Sequence, residues 1–268
     1  MEITPRPFGE ILAEGMTMLA RVWRRLFAPA FWAFLALGGL TIATFALTDS
    51  DEFLELVLTN PEAIEAMTDA ELLEPALRLL QTVLIAVIFQ LLASGFVTLT
   101  AHLLVASELS GAPLSTGAAV ARSFGRLLTL VIAAVLGFVA VVIGLFALIV
   151  PGLWLAGLLT MVTAVIALEE VGPVEALRRS ISLVRGRWWP TVGFLLLVGL
   201  LGSIAAQLVQ LVALPVLGAG GIGIGDGLGF VVLVIVQGMV VAAIAVMTTL
   251  WYVDLRARRG PLLRSSLP

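Results

Sequence analysis

The chain has 268 residues, 60% hydrophobic and 12% charged, with a formal net charge of −3 and a mean hydropathy of +1.13. Soluble domains carry about 25% charged residues, so the charges here are too few to solvate a water-soluble fold, and an integral membrane protein is expected. Cysteine is absent, which excludes disulfides, thiolate nucleophiles and cysteine metal sites; every basic residue is arginine.

Residues 1–25 mix Glu2, Glu10 and Glu14 with four arginines. That is too mixed for a secretory leader, so the first apolar run is expected to be a retained anchor. Runs near the ~20 residues of a bilayer crossing lie at about 26–47, 79–106, 127–149, 152–168, 190–216 and 228–252. They predict an all-α, six-helix bundle in one membrane domain, 1–268. Between the first two runs, residues 48–78 hold nine acids and only Arg78. Asn60-Pro61 and the capping box Thr68-Asp-Ala-Glu71 predict short helices there, with Phe53, Leu54, Val57, Ile64, Met67 and Leu72 against the bundle or the membrane. Pro151-Gly152 marks a tight corner between the third and fourth runs. Gly218-Ala-Gly220-Gly-Ile-Gly223 fits G-x-G-x-x-G but lacks the strand–helix context of a nucleotide site, and is expected to be a loop.

Arginine placement sets the expected orientation. Arg6, Arg21, Arg24, Arg25, Arg122, Arg126, Arg178, Arg179, Arg185, Arg187, Arg256, Arg258, Arg259 and Arg264 fall on one side of six spans, leaving Arg78 alone on the other. Positive charge stays cytoplasmic, so both termini are expected there. The acidic lobe, the Pro-Gly corner and the glycine-rich loop are expected on the opposite face. A motif also recurs. Ala119-Val-Ala-Arg122-Ser123 resembles Ala176-Leu-Arg-Arg179-Ser180, each shortly before a span, and Leu19, Arg21 and Trp23 form a looser third copy. The pattern suggests three units, each an amphipathic stretch followed by a hairpin.

Residues that could carry chemistry are sparse. His102 is the only histidine, which excludes bis-histidine haem or a histidine metal cluster within one chain; hydrogen bonding across helices is its expected role. No cofactor is expected. Mid-span Asp and Glu, the usual mark of a proton path, are missing. The polar groups within the spans are neutral. Gln90, Gln207, Gln210 and Gln237 suit interhelical bonds or an intramembrane polar groove, and Ala133/Gly137, Gly199/Ser203 and Gly238/Ala242 suit close helix packing.

The stretch EALRRSISLVRGRWWP, residues 175–190, gathers four arginines. Gly172-Pro173 starts a helix, and Val174, Leu177, Ile181, Val184 and Trp188 draw one apolar stripe at spacings of three and four. Gly186 and Pro190 are expected to end that helix, with Trp188 and Trp189 marking the interface. A surface helix is predicted, its arginines reaching anionic lipid headgroups; nucleic-acid binding is set aside for want of any supporting motif. ALEEVGPVEALRRSISLVRGRWWP, preceded by Pro151-Gly152, resembles the bacterial glycerophosphoryl diester phosphodiesterase membrane-domain-like family. Tyr252-Val-Asp254-Leu-Arg256-Ala-Arg258-Arg-Gly260 is similar to that family's C-terminal signature, with Arg259 where a glutamate is often found. The resemblance implies a six-span domain of the bacterial cytoplasmic membrane, without the family's catalytic barrel.

The expected function is therefore a non-catalytic scaffold, assembly or regulatory factor in envelope or lipid processes. Arg178, Arg179, Arg185, Arg187, Asp254, Arg256 and Arg258 are its lipid-headgroup or ion-pair residues; Asp254 and Glu169/Glu170 are expected to tie the surface helix to the last span. Alternatives are a lipid or small-solute transporter using the glutamines, and an accessory subunit of a lipid-processing enzyme. Membrane lipids and a membrane protein are the expected partners.

Overall fold

A computed structural model describes residues 2–3, 6–48, 50–60, 62, 64, 67–219, 227–260 and 262–263. The glycine-rich motif beyond residue 219, Pro61, the Leu54 side chain and Arg264 lie outside the described residues. The helices are α1 (Phe8–Thr48), α2 (Ser50–Thr59), α3 (Asp69–Ser110), α4 (Thr116–Ala147), α5 (Ile149–Leu158), α6 (Val162–Glu169), α7 (Pro173–Val184), α8 (Trp188–Ala219) and α9 (Gly227–Ala257). Among the described residues six segments are long and apolar enough to cross a membrane: Phe8–Phe45, Ala70–Ser110, Thr116–Ala147, Ile149–Glu169, Trp188–Leu211 and Ile235–Ala257. The protein is a multi-pass, all-α bundle. Among the described residues one strand pairing joins β1 (Glu2–Ile3) to β2 (Leu262–Leu263), which brings these two segments together.

The first two long helices overrun their expected bounds. Residues 8–25 form no separate surface helix, because their apolar stripe stays in phase with that of the span. Ile11, Met18, Val22, Leu26, Ala30 and Phe34 are all buried, and helix α1 runs on through Pro29. Its 41 residues reach ~60 Å, about twice the thickness of a hydrocarbon core. Helix α3 begins at Asp69 because the expected capping box forms: Glu71 N–H donates to Thr68 Oγ1 at 3.4 Å, and Thr68 N–H to Glu71 Oε2 at 2.9 Å. Within the acidic lobe, α2 packs against α1 and α3; Phe53, Ile64, Met67 and Leu72 are half-buried, whereas Val57 is exposed.

Helices α3 and α9 form the centre, with α1 across both and α4 and α6 against α3. Close approach is set by small residues. Gly238 meets Ala30 and Phe34, and Gly137 meets Leu159 and Leu177. A Cβ on Gly144 would lie 3.0 Å from the Gly152 Cα, so α4 and α5 cross backbone to backbone. Gly199, by contrast, has nothing within 4 Å, and Ser203 is exposed; that pair faces outward. The corner itself is the single extended residue Leu148 (φ −165°). Pro151 sits in the first turn of α5, where a missing N–H breaks no helical bond.

Three consecutive hairpins are present, but the amphipathic stretches feeding them differ. The first and second are continuous with α1 and α4, while the third is the separate helix α7. It runs back beside α6 and α5: Leu177 shares the Gly137 contact with Leu159, and Trp188 Nε1 donates to the Trp154 carbonyl at 2.8 Å. The buried face of α7 is Ala176, Ser180, Leu183 and Val184. That corrects the expected stripe, for Val174 is 50% exposed and Trp188 opens α8. Pro190 does not end α7 either; it lies in the first turn of α8, and Gly186 (φ +91°) supplies the left-handed turn between the two helices. Because α7 doubles back, the Pro151-Gly152 corner lies beside the arginine-bearing segment rather than opposite it: Val150 and Gly186 line one cavity.

Candidate functional site: the arginine-rich end of the bundle

The fourth span is broken between Leu158 and Val162, which frees backbone groups inside the protein. Ser180, fully buried on α7, fills the gap. Its hydroxyl donates to the Leu158 carbonyl at 2.7 Å and accepts from Met161 N–H at 3.2 Å. The matching serine of the repeat, Ser123, is equally buried; it donates to Ala119 O at 2.8 Å and accepts from Thr100 Oγ1 at 2.9 Å. The Ala-x-x-Arg-Ser repeat thus marks two small buried hydroxyls that join helices.

His102 joins three helices. Its Nδ1 lies 2.7 Å from Thr249 Oγ1 and its Nε2 3.3 Å from Thr163 Oγ1. Thr249 already donates its hydroxyl proton to Ala245 O at 2.7 Å, so Nδ1 carries the proton toward Thr249. In the neutral ring Nε2 then accepts from Thr163. This is the cross-helix role expected of the residue.

At the end of α6, Glu169 links the surface helix to the last span. Arg179 Nε donates to Glu169 Oε2 at 2.9 Å, and Tyr252 OH to Oε1 at 2.5 Å. The tie was expected, but Asp254 takes no part in it. That carboxylate holds the N-terminal segment instead, accepting from Arg6 N–H at 2.8 Å and Arg258 Nε at 2.6 Å, while Arg258 Nη2 donates to Arg6 O at 2.8 Å. Glu170 pairs with Arg126, which also donates to the Ala167 carbonyl at the C-terminus of α6. Arg25 likewise bridges Glu108 and the Leu114 carbonyl, and Arg259 Nη2 donates to Leu183 O at 3.3 Å and Arg185 O at 3.0 Å. Each of these arginines closes a loop or helix end on a backbone carbonyl. Arg25 and Arg126 had no assigned role in the sequence, since the carbonyls they seek lie 89 and 41 residues away.

A second set of arginines is free. Arg21, Arg24, Arg122, Arg178, Arg185 and Arg187 are exposed, and their guanidinium groups make no hydrogen bond or ion pair among the described residues. Gly186, which Arg185 and Arg187 flank in the chain, lines a cavity of about 480 Å³ whose walls include Val150, Leu153, Trp154, Trp188 and Trp189. A second cavity, about 360 Å³ and almost wholly apolar, lies between α1, α8 and α9. The glutamines are not brought together. Gln90, Gln207 and Gln237 are exposed and Gln210 is half-buried, and none lines these cavities. Among the described residues no three of His, Asp and Glu converge as metal ligands.

Residues 8–255, the helical bundle from the first residue of α1 almost to the end of α9, match the family described as "Domain of unknown function (DUF7847)". The chain belongs to DUF7847. No curated protein and no solved structure matches it. The DUF7847 region takes in Ser123, Ser180, Glu169, Tyr252 and the α5–α7–α8 cavity. Arg256, Arg258 and Arg259 follow its last matched residue.

Proposed function

We propose that this DUF7847 protein is a non-catalytic scaffold, assembly or regulatory factor of the bacterial cytoplasmic membrane, acting in envelope or lipid processes with both termini cytoplasmic. The observation that carries the reading is the division of labour among the arginines. Arg25, Arg126, Arg258 and Arg259 are committed to carbonyls and carboxylates of the fold, which leaves them unavailable for substrate. The free arginines lie on outer surfaces, where anionic headgroups are the natural counter-charge. No nucleophile, base and orienting group meet among the described residues in the way hydrolytic chemistry requires. The resemblance of residues 167–190 to the phosphodiesterase-associated membrane domain supports the same placement.

A partner-binding role within that reading is favoured by α8. It packs chiefly on α9 and leaves Leu200, Ile204, Leu208 and Gln207 exposed. An amide facing hydrocarbon without a partner is costly, and an interhelical bond to another chain would remove that cost. Native mass spectrometry from mild detergent tests both ideas. The expected result is a second protein, or a second copy, retained by the wild type and lost in Gln207→Leu. Strictly monomeric protein whose preparation turns over phosphodiester or lipid substrates would overturn the scaffold reading. Because the natural chain lacks cysteine, single cysteines at Gly9 and Gly117 can be labelled in intact cells. Both are expected to resist a membrane-impermeant maleimide, and labelling of either would reverse the proposed orientation.

A further inference from the structure

We propose that the cavity between α5, the α7–α8 turn and the start of α8 is a binding site for one anionic glycerophospholipid. The proposal rests on the protein lying in a membrane, and not on its acting as a scaffold. The cavity, about 480 Å³, is within the range of built small-molecule sites. Its walls and the chain segment beside it differ in chemistry. Val150, Leu153 and Pro190 are apolar, and Trp188 is fixed as a wall because its indole N–H is spent on the Trp154 carbonyl at 2.8 Å. A Cβ on Gly157 would lie 2.3 Å from that indole nitrogen, so the ring has one seat.

Gly186 lines the cavity and no acid does; the residues on either side of it in the chain, Arg185 and Arg187, are exposed, and their guanidinium groups make no hydrogen bond or ion pair among the described residues. Nearby, Arg259 Nη2 donates to the Arg185 carbonyl at 3.0 Å, which brings a third cation to the same turn. The Trp154 and Trp189 indole N–H groups make no hydrogen bond among the described residues, and Trp189 is 79% exposed. An apolar recess with two free indole donors in its wall, and two unpaired arginines next in the chain to its Gly186, complements an amphiphile whose head is an anion. A zwitterionic head would set its own cation against Arg185 and Arg187. A free anion such as phosphate would leave the apolar walls unoccupied.

Native mass spectrometry of the full chain, extracted from nanodiscs of equimolar phosphatidylglycerol and phosphatidylcholine with identical acyl chains, tests this. One phosphatidylglycerol per chain is expected to remain bound, and glycerol phosphate is expected not to displace it. Arg185→Gln with Arg187→Gln touches no protein contact and should weaken retention about thirtyfold. Leu153→Trp fills the recess and should abolish retention with both arginines intact. Arg21→Gln with Arg24→Gln, which removes two equally free arginines elsewhere, should leave it unchanged. Equal retention of both lipids, or equal loss in the Arg21/Arg24 pair, would show a diffuse charge effect and overturn the site; so would full retention in Leu153→Trp. Loss of the lipid site with subunits still attached would leave the scaffold reading standing.

Discussion

Ser180 and Ser182 are two residues apart on α7, and the bundle uses them in opposite ways. Ser182 bonds the Arg179 carbonyl of its own helix at 2.7 Å, whereas Ser180 bridges the break in the fourth span. Ser180→Ala leaves a buried N–H and a buried carbonyl unpaired, at about 1–3 kcal/mol for each. Thermal unfolding in detergent should show a clear loss for Ser180→Ala and almost none for Ser182→Ala. Glu169 offers a second test. Its couplings to Arg179 and Tyr252 should appear as non-additivity when Glu169→Gln is combined with Arg179→Gln or Tyr252→Phe. Charge reversal at Arg179 should be rescued at Glu169 and not at Asp254, whose partners are Arg6 and Arg258. Equal rescue at Asp254 would refute the assignment. Arg179 is 42% exposed on its side chain, so its pair should contribute less than the buried Tyr252 bond.

Among the helices, the α4–α5 hairpin depends on two glycines facing each other without side chains. Gly144→Val or Gly152→Val forces the backbones apart and should lower the melting temperature strongly. Gly199→Ala, on an open face of α8, should instead raise it slightly, since alanine is favoured over glycine in a helix by about 1 kcal/mol. A matched loss at Gly199 would mean that α8 has a neighbour there. Helix ends explain why the long helices differ in length from the apolar runs. Hydropathy counts where side chains prefer lipid, but a helix stops where its backbone groups find other partners. Thr68 starts α3 ten residues before the apolar run, and Gly111 in the left-handed region (φ +78°) ends it.

Across the whole molecule, arginines close the bundle's ends. Arg25→Gln and Arg126→Gln each remove a donor from a backbone carbonyl, in a loop for Arg25 and at a helix end for Arg126, and from a carboxylate; both should destabilise the fold by about 1–3 kcal/mol. Arg122→Gln, exposed and without a bond, should fall within about 0.5 kcal/mol of the wild type. Differential thermal unfolding of the three variants in one detergent checks the division. If all three behave alike, the collar acts as a diffuse charge and not as a set of staples.

Much of the architecture was legible before any coordinates. Transfer from water to lipid is nearly additive along a helix, so local composition alone identified the six apolar segments. The capping box at Thr68, the helix start at Gly172-Pro173 and the cross-helix role of His102 were also readable, since short-range chemistry and a missing alternative partner define them. Even the Ala-x-x-Arg-Ser repeat carried real information, although its meaning, a buried hydroxyl beneath a buried alanine, needed the packing. Only the tertiary structure decided which polar groups satisfy one another. The choice of Glu169 over Asp254 as partner of Arg179, the reach of Arg25 to Leu114, and the meeting of Val150 and Gly186 in one cavity wall all depend on which helices become neighbours. Hydrogen bonds act over ~3 Å, and residues far apart in the chain come that close only after the bundle has packed.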